Sequence, residues 1–247
     1  MAHLLPIARD PGFHPETGTP PAHRVIKGTP GWQAWEMEQN GAASGGIWQV
    51  APGAWHVIRD EWEFMAVLSG RSRLTEDGTG TVIEVMPGAA FVLRAGFRGI
   101  WEVIEPTRVS WVLYDPPSGP DALAMEKETS MTKLLAIPAA PGFAPEAGAP
   151  RPERVIEGNP TNISWDIEAT PDGKVTCGVW EVEVGAWNVV KDSWEFMTII
   201  SGHSELTEDG GPTVVLKPGD SAVMRPGFRG VWRVVEPTRK YWVIYDA

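Results

Sequence analysis

The sequence predicts an all-β protein built from two tandem copies of one unit, and three observations carry that prediction. The chain repeats itself along most of its length. Within each copy, short apolar or alternating runs are broken by Gly, Pro or Asp-Gly roughly every ten residues, the spacing of a sandwich or barrel. No apolar period of 3.6 is sustained beyond a few turns, so helices are not expected to build the core.

The repeat is legible in order from the first residues. Leu4-Leu5 with Pro11-Gly12-Phe13 returns as Leu134-Leu135 with Pro141-Gly142-Phe143, and Arg24-Val25-Ile26 returns as Arg154-Val155-Ile156. Trp62-Glu63-Phe64-Met65 recurs as Trp194-Glu195-Phe196-Met197, and Leu74-Thr75-Glu76-Asp77-Gly78 as Leu206-Thr207-Glu208-Asp209-Gly210. Gly96-Phe97-Arg98-Gly99 and Glu105-Pro106-Thr107-Arg108 have counterparts at Gly227-Phe228-Arg229-Gly230 and Glu236-Pro237-Thr238-Arg239. Each copy closes on Tyr-Asp, at Tyr114-Asp115 and Tyr245-Asp246. Units of this size are too long for solenoid repeats and read as domains. The expected division is one domain over residues 1–115, a linker over 116–131 that opens on Pro116-Pro117-Ser118-Gly119-Pro120, and a second domain over 132–247.

Strands are expected at Gly46 to Val50, Phe64 to Leu68, Thr81 to Val85, Ala89 to Leu93, Ile100 to Ile104 and Ser110 to Tyr114. Asp77-Gly78 and Asp209-Gly210 mark hairpin turns, because Gly supplies the positive φ that such turns need. Gly96-Phe97-Arg98-Gly99 is glycine-rich, but it does not open a helix and reads as a turn between strands rather than a phosphate loop.

Charge and composition exclude some functions. With 21 Lys and Arg against 32 Asp and Glu, the formal charge is −11, which argues against a nucleic-acid partner. No run of roughly 18 apolar residues occurs, so no membrane span is expected. The first residues show neither a basic region nor a long apolar stretch, so no signal peptide is expected and the reading is cytoplasmic. A single cysteine, Cys177, rules out an intrachain disulfide framework.

The glycine and acid spacing goes further. One copy carries Gly53, Glu63 and Gly70, then Gly88, Arg94-Ala95-Gly96 and a strand through Trp101; the other carries Gly185, Glu195, Gly202, Gly219, Arg225-Pro226-Gly227 and Trp232. This resembles the two-motif signature of the cupin superfamily. The closing Gly-Phe-Arg-Gly-x-Trp and Glu-Pro-Thr-Arg segments are similar to the subgroup of ureidoglycine aminohydrolase-like and ethanolamine-utilisation-type cupins. The resemblance implies two tandem jelly-roll barrels, a bicupin. Single-domain cupins commonly pair by sharing strands, so a duplicated chain could form such a pseudo-dimer within itself; a further homodimer is left open.

The departures from the signature bear on function. Metal-binding cupins place two histidines before the glutamate and one in the second motif. Those places hold Val57 and Arg59 (or His56 and Ile58), Val189 and Lys191 (or Asn188 and Val190), and Gly99 and Gly230. None of the five histidines has a histidine at its counterpart position, so a three-histidine, one-carboxylate site cannot be assembled in either copy. No metal and no cofactor is expected, although a site on His56, Glu61 and Glu63 stays open as an alternative.

The motif position that the resemblance gives Glu63 implies that it points inward; alternation across strands then turns Met65 and Val67 inward too, and gives Arg59 and Glu61 the same parity unless Asp60 bends the chain. The candidate catalytic residues are therefore Glu63, Arg59 and Glu61. Candidate ligand-binding residues are Trp101, Met65 and His56 in the first copy, with Lys191, Glu195 and Trp232 in the second. A guanidinium can hold a carboxylate, Glu63 can act as acid or base, and an indole can supply a flat wall. The expected partner is thus a small polar molecule bearing a carboxylate, bound or converted without metal. Against this stand a non-catalytic barrel whose Arg59–Glu63 and Lys191–Glu195 pairs satisfy only themselves, and a metal-dependent hydrolase similar to ureidoglycine aminohydrolase.

Overall fold

The computed structural model describes residues 2–116 and 132–247, so the expected linker lies outside the described residues apart from Pro116. Two compact all-β units form. Of the described residues, those within Asp10–Pro138 and Thr170–Asp172 form the N-terminal barrel, and those within Met1–Arg9, Ala139–Ala169 and Gly173–Ala247 form the C-terminal barrel.

The first strand, β1 (Leu4–Ile7), belongs to the C-terminal barrel. The N-terminal barrel runs β2 (Glu16–Gly18), β3 (Val25–Gly28), β4 (Trp32–Asn40), β5 (Ala43–Val50), β6 (Gly53–Arg59), β7 (Trp62–Glu76), β8 (Val82–Val85), β9 (Ala90–Leu93), β10 (Phe97–Tyr114) and β11 (Leu134–Ile137). The C-terminal barrel continues with β12 (Glu146–Gly148), β13 (Val155–Gly158), β14 (Asn162–Ala169), β15 (Val175–Val182), β16 (Gly185–Lys191), β17 (Trp194–Glu208), β18 (Thr213–Leu216), β19 (Ser221–Met224) and β20 (Phe228–Tyr245). Strand order is β11-β9-β7-β10-β5-β4-β2 in the first unit and β1-β19-β17-β20-β15-β14-β12 in the second. Each has the jelly-roll connectivity that the repeat implied.

One long strand makes the barrel. β10 pairs β6 through Phe97 to Val103 and β5 through Thr107 to Tyr114, so it serves both faces. The sequence alternation predicted two separate strands here, Ile100 to Ile104 and Ser110 to Tyr114. The structure joins them across Glu105-Pro106-Thr107, a corner with three register shifts against β7, where proline is tolerated because the ladder is already broken. Gly70 sits opposite at φ +85, and a Cβ there would lie 2.6 Å from the Thr107 Cα. Only glycine fits, and the same corner recurs at Gly202 (φ +88) and Pro237-Thr238. The Asp77 turn is longer than a two-residue hairpin, with positive φ at both Gly78 and Gly80.

The compact units do not follow the contiguous repeats. β1 adds to β19 with Leu4 opposite Met224, and β11 adds to β9 with Leu134 opposite Leu93. Each repeat thus gives its first strand to the other repeat's sheet. Burial drives this, since Leu4, Ile7, Leu134 and Ile137 are all buried. A repeated glutamate anchors the incoming backbone: Glu208 accepts from the His3 N–H at 3.0 Å and the Leu4 N–H at 3.2 Å, and Glu76 accepts from the Lys133 N–H at 2.5 Å and from the Thr132 hydroxyl. Among the described residues no helix is long and apolar enough to cross a membrane.

Candidate functional site

Strands β6 and β7 leave a bend at Asp60-Glu61, which puts Arg59 and Glu63 side by side. The Arg59 Nε donates to Glu63 Oε2 at 2.7 Å. Glu63 is 4% exposed and is held between Leu93 on β9 and Leu113 on β10. Burial pushes its carboxyl above the ordinary range; the Arg59 guanidinium pulls it back in part, and the Glu61 charge raises it further. The Glu63 charge raises Arg59 in turn, against its own burial.

Both residues line a cavity of about 660 Å³. Trp32, Trp48, Trp55, Trp101 and Trp111 form its apolar wall, and the stretch from Phe13 to Arg24 adds Glu16 and Arg24 to the lining. The indoles brace one another. Trp101 stacks on Trp55 at 5.7 Å, meets Trp48 at 5.2 Å and takes Phe91 edge-on at 5.8 Å. The size and lining suit a small organic molecule. Among the described residues, neither Nη of Arg59 makes a hydrogen bond and Oε1 of Glu63 accepts none.

The C-terminal barrel uses the same positions differently. Glu195 binds the Lys191 ammonium through Oε2 and the Lys240 ammonium through Oε1, the latter at 2.5 Å. Lys240 is 4% exposed, and its Nζ lies 4.3 Å from the Trp232 ring centre and 4.8 Å from that of Trp180. Burial alone would raise the Glu195 carboxyl, but the Lys240 and Lys191 ammoniums outweigh it and lower its pKa to about 2. Burial also pushes the Lys240 ammonium down, and the Glu195 charge opposes that. Trp232 is fully bonded, its Nε1 donating to Ser204 Oγ at 3.0 Å.

The metal that the cupin signature implies does not fit these residues. Val57 offers no donor atom, and Arg59 already sets a cation on the one carboxylate. Gly99 occupies the third ligand position, where a Cβ would lie 2.6 Å from the Phe97 Cζ and collide with the Thr75 carbonyl. Gly230 repeats the obstruction, 2.9 Å from the Phe228 Cζ and against the Thr207 carbonyl.

The residues singled out from sequence fall into distinct groups. Glu63, Arg59 and Trp101 meet at the cavity, and His56 is exposed on its wall. Glu61 sits on the bend, where its carboxylate accepts from the Asp60 N–H at 3.2 Å. Met65 is packed in the core with Trp101. Lys191, Glu195 and Trp232 gather around Lys240. Cys177 is buried in the core. Sequence reasoning missed Lys240, Trp48 and the Phe13–Arg24 wall. The signal for Lys240 was there to read: Arg239-Lys240-Tyr241-Trp242 departs from Arg108-Val109-Ser110-Trp111 at two buried positions, and one of them gains an amine.

Scanned against known families, the chain matches the EutQ-like cupin domain twice, over residues 37–110 and 169–242. Among solved structures it is similar to a DUF861-family protein of unknown function from Pseudomonas syringae pv. tomato (TM-score 0.76, 18% identity, 98% of each chain). It is also similar to a cupin 2 conserved barrel domain protein from Leptotrichia buccalis (TM-score 0.59, 9% identity, 87% of this chain and 89% of that one). A third, Ylba from E. coli, also of DUF861, has a TM-score of 0.55 at 11% identity, covering 87% of this chain and 84% of that one. At such identities the likeness is one of fold. No curated protein matches the chain.

Proposed function

The chain belongs to the EutQ-like cupin family, and on that premise we propose that its N-terminal barrel binds and converts a small carboxylate-bearing molecule without a metal. The observation that carries this reading is a cavity of about 660 Å³ lined by the buried Glu63 and its partner Arg59, whose outer atoms are uncommitted. The two Nη groups of Arg59 form a planar fork suited to a ligand carboxylate. Glu63, raised above the usual carboxylate range by burial, is placed to pass a proton to or from a group held against the indole wall. The C-terminal barrel has a structural role in this reading, because its carboxylate is saturated by two lysines.

Sodium butyrate serves as a minimal probe. In chelator-treated protein it should perturb tryptophan fluorescence saturably, lose that effect in Arg59→Ala and keep it in Lys191→Ala. Equal loss in both variants, or loss only with Lys191→Ala, would contradict the assignment. Glu63→Gln then separates conversion from binding, since a proton-transfer role predicts retained butyrate binding with turnover of the natural substrate abolished.

A further inference from the structure

The two barrels share the carboxylate and the three indoles Trp48, Trp55 and Trp101 (Trp180, Trp187 and Trp232 in the second), but at one wall position they differ by an amine. Lys240 pairs with Trp180 across β20 and β15, in the same register that places Val109 opposite Trp48 across β10 and β5. From that position the Lys240 ammonium reaches Oε1 of Glu195 and lies over Trp180 and Trp232. The N-terminal counterparts of those groups are Glu63, Trp48 and Trp101, all on the cavity wall. Val109 is too short to reach them. Glu63, 4% exposed, leaves Oε1 without a hydrogen bond among the described residues.

We infer that the N-terminal cavity takes a primary ammonium group of its ligand between Trp48, Trp101 and Oε1 of Glu63, the place that the Lys240 Nζ fills in the C-terminal barrel. The inference rests on the reading of that cavity as a small-molecule site, and it adds a second recognised group to the ligand. An ammonium there donates a charge-assisted hydrogen bond to Glu63 Oε1 and is attracted to two ring faces. A second cation beside Arg59 is no obstacle, because Glu195 already carries Lys191 and Lys240 together. In the C-terminal barrel the tethered lysine amine acts as an internal ligand and closes the equivalent site.

The test compares n-butylammonium chloride with sodium butyrate on the full chain. Butylammonium should bind the wild type saturably, followed by tryptophan fluorescence, and at least about tenfold more weakly to Val109→Lys, where a tethered amine occupies the site. Should that variant fold poorly, the reciprocal experiment decides: butylammonium should raise the melting temperature of Lys240→Val but not that of Lys240→Met, whose side chain fills the space without charge. Butyrate binding without butylammonium binding overturns the ammonium site and leaves the proposed function standing. Binding of neither overturns both. Equal butylammonium affinity in wild type and Val109→Lys, with no rescue of Lys240→Val, places the amine elsewhere and overturns the inference.

Discussion

Two glutamates at equivalent positions should respond in opposite ways to the same substitution. In Glu195→Gln the Lys240 ammonium, 4% exposed, loses its carboxylate and is left buried beside Lys191. The fall of the Glu195 pKa from 4.5 to about 2 corresponds, at 1.36 kcal/mol per pH unit, to about 3 kcal/mol of stability at neutral pH. Breaking one partner of a buried ion pair carries a similar cost, roughly 3–5 kcal/mol. For a chain of this size the melting temperature should drop by roughly 6–12 °C. The sign with pH follows from linkage. A depressed carboxyl contributes stability above its unfolded pKa, and that contribution is lost as pH falls from 4.5 towards about 2. The gap between wild type and Glu195→Gln should therefore close over that window. Glu63 is raised instead, so its contribution is present below the unfolded value and is lost as pH rises through the folded one. Glu63→Gln should then cost little or nothing at pH 7, all the more because the Arg59 side chain keeps 34% of its surface in water. Differential scanning calorimetry of both variants from pH 2 to 8 measures this. Equal destabilisation by the two substitutions, or a loss under about 1 kcal/mol for Glu195→Gln, would refute the electrostatic account of the two sites.

Three other outcomes are expected. Deleting residues 1–9 removes the buried Leu4 and Ile7 and strips Glu208 of its partners, so the C-terminal barrel should lose roughly 4 kcal/mol; hydrogen exchange would show it as lost protection in β19. Gly99→His, which restores the family's ligand type, should lower the melting temperature and gain no metal by mass spectrometry, because its Cβ meets Phe97 and the Thr75 carbonyl. Chelator treatment of the purified protein should leave its melting temperature unchanged, since Arg59 and Val57 stand where ligands would be; a drop accompanied by release of stoichiometric metal would contradict the fit argued from Gly99.

Much of the fold was written in local patterns. Alternation located the strands, Asp-Gly and Gly-Pro located the turns, and the duplication fixed the number of units. The Arg59–Glu63 pair was legible too, because residues four apart share a parity and the bend at Asp60-Glu61 did not break it. The exchange of first strands was not legible for a physical reason: Leu4-Leu5-Pro6-Ile7 and Leu134-Leu135-Ala136-Ile137 present nearly the same apolar face. Their target edges, Ser221–Met224 and Ala90–Leu93, are equally alike, so local pattern does not choose between them. Lys240 escaped although it keeps the parity of Trp232 and Val234 across the proline corner and is buried as they are. The register shifts at Ile199, Ser201, His203 and Ser204 are of the kind that can reset parity, and the sequence alone does not show that it survives. The wall from Phe13 to Arg24 has no period to read, being irregular apart from the three-residue β2 and a single 3-10 turn over Ala22–Arg24.

The central claim is that the N-terminal barrel is an open, metal-free ligand site and the C-terminal barrel is its closed counterpart. A crystal structure of the full chain soaked with sodium butyrate tests it most directly. The account predicts a carboxylate on the Arg59 Nη groups within the indole wall, and the Lys240 side chain on Glu195 in the other barrel. A metal ion coordinated by Glu63, or butyrate bound alike in both barrels, would contradict it.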